Sequence, residues 1–242
     1  MKHLLLAGGG HAHLHVLQAL ARQRWPDTRV TLVSPYPRQL YSGMLPGWLA
    51  GHYAIDACAI PLRPLAQAAG ATFVEDALVG LDAGARTVRL ASGQALGYDL
   101  LSLDTGPVMP LDRLPGAAEF ALPVRPIEGL VERLQAWLGA VAARRTPLHA
   151  VVVGGGAGGF ELALALAHRL RPADGVRVTL VAGAAGLLAG FAPGVRRRAA
   201  RALAARGVGL VTTAAAAVLA DRVELAAGDS LPSRLTIAAL GA

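Results

Sequence analysis

Two glycine-rich turns of the same kind sit in this chain, Gly8-Gly9-Gly10 and Gly154-Gly155-Gly156, at an offset of 146 positions. Each follows a short apolar run, His3-Leu4-Leu5-Leu6-Ala7 in one case and Ala150-Val151-Val152-Val153 in the other. Each precedes an alanine- and leucine-rich helical pattern. Strand, tight turn and helix form the opening of a dinucleotide-binding unit. One copy is a weak signal. Two copies in matching contexts favour a chain that holds two nucleotides and passes electrons between them.

The remaining pattern repeats in the same way. Residues 3–7, 11–24 and 29–33 read as βαβ, with Leu14, Leu17 and Ala21 on one helical face. A loop rich in proline, glycine and tyrosine runs from Pro35 to Tyr53 and is too long for a simple connector. A short helix is expected at 61–69, then short strands at 71–75, 77–81, 86–91 and 98–103. Pro107 to Pro126 reads as an irregular crossing between domains. Ile127 to Ala143 reads as an amphipathic helix. The plan then restarts: strand 148–153, helix 157–170, strand 176–181, helix 194–206 and strand 208–212. Short strands at 216–220, 222–226 and 234–239 follow. Both halves end on a returning strand that meets a glycine, Gly106 in one and Gly241 in the other.

Composition removes several classes. Apolar residues make up 54% of the chain, which excludes disorder. The net charge is +7, but the arginines are scattered apart from Arg196-Arg197-Arg198 with Arg201, and no aromatics interleave with them. Nucleic acid is therefore not an expected partner. Cys58 is the only cysteine. No disulfide framework, thiolate metal site or redox-active cysteine pair can form within the chain. A reducing, cytoplasmic location is the expectation. No signal peptide or transmembrane run is evident. His11 and His15 share a helical face without further acidic or thiol ligands, so no metal is expected.

A diphosphate needs close backbone approach and free N–H donors at a helix N-terminus. Gly154, Gly156 and Gly159 complete the G-x-G-x-x-G spacing. In the first copy Gly8 and Gly10 fit, but His13 stands at the third position. That implies either a wider helix–strand gap or a ring turned toward the ligand. The usual acidic residue for the ribose is absent from both halves. Ser34 follows the first unit's second strand and offers a hydroxyl. Ala182 and Gly183 follow the corresponding strand in the second half, leaving NADH versus NADPH open.

The chain resembles the pyridine nucleotide-disulfide oxidoreductase superfamily of flavoproteins, and within it the type II NADH dehydrogenase-like proteins. It is most similar to the module found fused to selenide, water dikinase. The residues that carry this are Gly8–His13, Tyr41-Ser42-Gly43-Met44-Leu45-Pro46-Gly47, Asp104-Thr105-Gly106 and Gly154–Glu161. The resemblance implies two Rossmann-like α/β domains with parallel sheets and small antiparallel meanders. Their expected bounds are 1–110 for FAD, 111–146 for a linker and connecting helix, and 147–242 for NAD(P)H. Gly8, Gly9, Gly10, His11 and His13 would surround the FAD diphosphate. Tyr41, Ser42, Gly43 and Pro46 would lie beside the flavin, and Asp104, Thr105 and Gly106 would close that site. Gly154, Gly156, Ala157, Gly159 and Gly241 would hold NAD(P)H, with Glu161 near the meeting of nicotinamide and flavin.

Without a cysteine pair, a quinone or another small oxidant is the implied acceptor. Relatives continue past the position of Ala242 with a second part of the FAD domain and an interface region. The first domain is therefore expected to be incomplete, and peripheral membrane contact would depend on that further part. Two competing readings stay open: a non-catalytic nucleotide-binding or interaction module, and a flavin-free NAD(P)-binding protein.

Overall fold

The computed structural model describes residues 1–142, 148–171 and 175–241. The chain divides into two compact units, Met1–Tyr41 with Cys58–Pro107, and Ser42–Ala57 with Val108–Ala242.

Unit 1 opens with β1 (Lys2–Ala7), α1 (His11–Arg22) and β2 (Thr28–Ser34), followed by β3 (Arg38–Leu40). The chain then enters unit 2, where α2 (Leu45–Ala50) lies, and returns at β4 (Ala59–Pro61), antiparallel to β3. Next come α3 (Leu62–Ala68), β5 (Thr72–Glu75), the meander β6 (Leu78–Asp82), β7 (Thr87–Leu90) and β8 (Ala95–Gly97), and β9 (Leu100–Leu103). The main sheet is parallel in the order β5-β2-β1-β9. Its interior strand β1 is covered on both faces, which is why its sequence is continuously apolar rather than alternating. Leu4 and Leu6 pack with Leu14 and Leu17 of α1 and Leu62 of α3, whereas Leu5 packs with Val88 and Leu90 of the meander. β9 forms one edge of this sheet, and its Leu100 and Leu103 are more than half exposed.

Unit 2 continues with α4 (Ala117–Phe120), β10 (Ala121–Pro123), α5 (Ile127–Ala142), β11 (Leu148–Val153), α6 (Ala157–Leu170) and β12 (Val176–Val181). Then follow α7 (Pro193–Ala204), β13 (Val208–Val211), the meander β14 (Ala215–Val218), β15 (Arg222–Leu225) and β16 (Ser230–Pro232), and β17 (Leu235–Ala238). The parallel order β10-β17-β11-β12-β13 reverses direction beside β11, where open α/β sheets bind ligands. Val151, Val153 and Val181 of this sheet pack with Val218 and Val223 of the second meander.

The repetition extends into the cores. His3 Nε2 lies 2.8 Å from Thr31 Oγ1 in unit 1, and His149 Nε2 lies 2.7 Å from Thr179 Oγ1 in unit 2. Each pair bridges the two strands that flank the helix after the glycine turn, and each gives a buried polar group a partner.

Several expectations change. The stretch from Pro35 to Tyr53 is not simply a loop: it carries β3 and α2. Leu45, Trp48 and Leu49 bury one helical face. Pro46 sits in the first turn, where its missing N–H costs nothing, and Gly51 ends the helix at φ 85°. α2 packs against α6, so Ser42–Ala57 falls in unit 2 and not within a continuous 1–110 block. The crossing from Pro107 to Pro126 contains α4 and β10, and β10 is an edge strand of the second sheet, a place where Pro123 is tolerated. The short strands β8 and β16 are additional. Ala21 is exposed, and Leu20 completes the buried face of α1. The last residue expected in the helix at 127–143, and 143–146 of the linker, lie outside the described residues. The first sheet has four strands and the second five, with no described strand flanking β9 as β10 flanks β17.

Candidate functional site

Both glycine turns lie between the end of a strand and the start of a helix. In unit 1, Gly8 adopts φ +98°, and its N–H donates to the Val33 carbonyl at 2.8 Å. A Cβ at Gly8 would overlap the Asp104 carbonyl, and one at Gly9 would press on Leu62. Gly10 is the N-cap of α1, and a Cβ there would overlap the Asp104 carboxyl group. That carboxylate accepts from the Ala12 N–H at 2.9 Å and the His13 N–H at 3.3 Å. An anion thus already sits on the leading donors of α1. From the sequence these donors are expected to be available to a diphosphate. They are instead held by the chain's own Asp104.

Two further residues differ from expectation. The His13 ring is 1% exposed, with Nδ1 2.7 Å from the Gly8 carbonyl oxygen and Nε2 2.9 Å from Ser102 Oγ. It is turned into the protein, not toward a ligand. Ser34 is 4% exposed and its hydroxyl donates to the Tyr36 carbonyl at 3.1 Å, so it serves the local turn. His11 and Tyr41 remain near the solvent-facing mouth of the turn, their rings edge to face at 5.5 Å. Thr105 and Gly106 are exposed just beyond Asp104, with Gly106 at φ +75°.

Unit 2 repeats the turn with a different outcome. Gly154 adopts φ +134° and its N–H donates to the Val181 carbonyl at 2.8 Å. A Cβ at Gly154 would overlap the Ala239 carbonyl, and one at Gly159 would overlap the Gly154 carbonyl. Those two glycines are required by the chain's own packing. Gly156, the N-cap of α6, and Gly158 face nothing within 4 Å. Among the described residues, no side chain takes the leading N–H groups of α6. Ala157 and Glu161 are exposed on its first turns.

A cavity of about 210 Å³ adjoins this turn, lined among others by Val153, Gly154, Val181, Ala182 and Gly183 at the carboxyl ends of β11 and β12. Arg113 also lines it, from a segment that read only as a crossing; nothing in its local sequence marks it. Gly241 lies beyond β17 and is exposed. Ser42, Gly43 and Pro46 belong to unit 2, in and before the first turn of α2. The structure thus gathers Gly8, Gly9, Gly10, His11, Tyr41, Asp104, Thr105 and Gly106 in unit 1. It gathers Gly154, Gly156, Ala157, Gly159, Glu161 and Gly241 in unit 2.

These geometries answer differently to a diphosphate. The second turn fits: among the described residues no side chain takes its leading donors, Gly156 and Gly158 leave the approach open, and Gly154 lines a cavity beside the sheet's switch point. The first has the backbone of the same cradle, with a carboxylate in the anion position.

The sequence profile of the pyridine nucleotide-disulphide oxidoreductases matches residues 2–242. The chain belongs to this family. Among curated members, an NADH dehydrogenase-like protein of Mycobacterium tuberculosis is 36% identical over 135 residues, covering 52% of this chain and 34% of that protein. Demethylphylloquinone reductase of Synechocystis is 25% identical over 230 residues, covering 92% of this chain and 56% of the relative. The chain thus spans between about a third and somewhat over half of these relatives. The solved NDH2 of Plasmodium falciparum in complex with NADH shares the fold, with a TM-score of 0.84 at 16% identity, covering 99% of this chain and 55% of that one. Two Rossmann-type α/β units with parallel sheets and antiparallel meanders are the family's architecture, as the resemblance implied.

Proposed function

We propose that this chain is the dinucleotide-binding portion of an FAD-dependent NAD(P)H oxidoreductase that delivers electrons to a quinone or another small acceptor. The second glycine turn carries the reading: a cradle with free backbone donors and an adjoining cavity, in a chain of this family. In this reading Gly154, Gly156, Ala157 and Gly159 hold the NAD(P)H diphosphate. The cavity at Ala182-Gly183 receives the adenosine end, and Gly241 follows Leu240 of its lining. The Arg113 guanidinium adds positive charge there, which suits a phosphorylated ligand. Glu161 orients the nicotinamide end.

In unit 1 the turn Gly8-Gly9-Gly10, with His11, Tyr41, Thr105 and Gly106, surrounds the FAD, and His13 and Ser34 support the turn from within. Bound flavin supplies the hydride-accepting chemistry, which is the cofactor's own. The protein's part is to align the two rings. Cys58, the only cysteine, is buried, and burial raises its thiol pKa. It supplies neither a dithiol nor a ready thiolate, which favours a non-disulfide acceptor. No helix among the described residues is long and apolar enough to cross a membrane.

A flavin-free NAD(P)-binding module is the second reading, favoured by Asp104 in the first cradle. The visible absorbance spectrum separates the two. Protein that takes up FAD and bleaches on anaerobic addition of NADH supports the first. Protein that binds NADH but never retains FAD overturns the first and leaves the second.

A further inference from the structure

The two units provide an internal comparison. Ala7 of β1 lies opposite Leu103 of β9, and Val153 of β11 lies opposite Ala238 of β17. The next residue is Asp104 in one unit and Ala239 in the other. Their backbones do the same work. The Asp104 N–H donates to the Ala7 carbonyl at 2.8 Å, and the Ala239 N–H donates to the Val153 carbonyl at 2.8 Å. The Asp104 carbonyl lies where a Cβ on Gly8 would be, and the Ala239 carbonyl lies where one on Gly154 would be. Asp104 and Ala239 are therefore equivalent positions, and only their side chains differ.

That difference decides what each helix terminus holds. From position 104 a carboxylate reaches the Ala12 and His13 N–H groups at 2.9 and 3.3 Å. From position 239 a methyl group reaches nothing of the kind. Gly10 is kept free of a Cβ by Asp104, whereas among the described residues nothing lies within 4 Å of a Cβ placed at Gly156. A carboxylate on two leading helix N–H groups makes the same class of interaction that a phosphate makes there. Both are anions, and the donors serve one at a time.

We infer that Asp104 is an affinity-determining residue of the first cradle: its carboxylate is an internal competitor that a flavin diphosphate displaces in order to bind. This rests on the reading of unit 1 as the FAD unit. The inference makes FAD uptake an exchange of one anion for another, whereas NAD(P)H uptake in unit 2 is a simple addition. It also means that one substitution, at 104 or at 239, removes or supplies the competing carboxylate.

The test uses the full chain and FAD and NADH as probes, with affinities from titration calorimetry and the thermal midpoint of the protein without added nucleotide. In Asp104→Asn and Asp104→Ala the FAD affinity is expected to rise at least tenfold, the thermal midpoint without nucleotide to fall, and the NADH affinity to stay as in the wild type. The opposite signs of the first two effects separate competition from a merely structural role. Ala239→Asp places the carboxylate in unit 2 and is expected to weaken NADH at least tenfold.

An Asp104→Asn protein with wild-type circular dichroism whose FAD affinity is unchanged or weaker overturns the inference. So does a protein that binds no FAD with either residue, because Asp104 is then not what governs the site. Loss of NADH binding in the wild type alone would sink the proposed function of unit 2 and leave the competition at Asp104 standing. Should Asp104→Ala fail to fold, Asp104→Asn and Ala239→Asp still decide.

Discussion

The imidazole Nδ1 of His13 lies 2.7 Å from the carbonyl oxygen of Gly8, the contact that stands in unit 1 where Gly159 rests against Gly154 in unit 2. One turn is closed by a side chain that bonds the carbonyl, the other by the absence of a side chain. The His13 ring also reaches Ser102 on β9, so it ties the turn to that strand. Replacing His13 with Ala leaves the Gly8 carbonyl and the Ser102 hydroxyl without their partner and opens a hole. Each buried group so stranded costs about 1–3 kcal/mol. Urea unfolding of His13→Ala is expected to show a loss in that range or above, whereas a loss below about 0.5 kcal/mol would mean that the ring is dispensable.

Gly154 and Gly156 are two residues apart and should fail differently. Gly154→Ala forces a Cβ into the Ala239 carbonyl at a φ of +134° and is expected to destabilise the fold. A Cβ at Gly156 meets no atom within 4 Å, and Gly156→Val is expected to cost only about 1 kcal/mol as a poor N-cap. It should nevertheless abolish NAD(P)H binding while leaving any FAD in place. Thermal melts and NADH titration of both variants check this. Equal loss of both nucleotides in folded Gly156→Val would refute the assignment of the two units.

Acid should loosen unit 2 through His149. Burial first, and then the Arg177 charge, hold its imidazole below the ordinary histidine value. The unfolded chain therefore binds the proton more readily than the folded one. The stability that depends on neutral His149 is present above the unfolded value of about 6.5 and is lost as pH falls through the lower folded value. His149→Gln keeps a polar partner for Thr179 but does not titrate. Its thermal midpoint is expected to fall less than that of the wild type below pH ~6.5, and parallel curves would remove His149 from the acid response.

Glu161 is exposed on α6, so Glu161→Gln should change stability by no more than about 0.5 kcal/mol. If its carboxylate orients nicotinamide, single-turnover flavin reduction by NADH slows while NADH affinity holds. Unchanged rates in stopped-flow absorbance would make it a solvated surface residue only.

The strands and helices of unit 2 that lead to the cradle were fully legible. β11 is an apolar run stopped by Gly154, α6 and β12 are long apolar patterns, and the observed bounds of all three are those expected from sequence. α2 was hidden because Pro46 and Gly47 resemble helix breakers, although the first turn and the packing on α6 accommodate them. β10 was hidden because three residues ending in proline show no periodicity. The state of the first cradle was not legible at all. Asp104 and Ala12 are separated by 92 positions, and only the pairing of β9 with β1 brings them together. The turns look alike in sequence; a distant side chain makes them unlike in chemistry.

The edge strand β9 carries a further consequence. Its outer row of amides and carbonyls faces no neighbouring strand among the described residues, and Leu100 and Leu103 flank that row at 57% and 56% exposure. Such a rim is adhesive toward any extended polypeptide that comes alongside. At high concentration, copies of this chain should zip together along it, and light scattering of Leu103→Lys against the wild type would register how much of that clumping the rim causes.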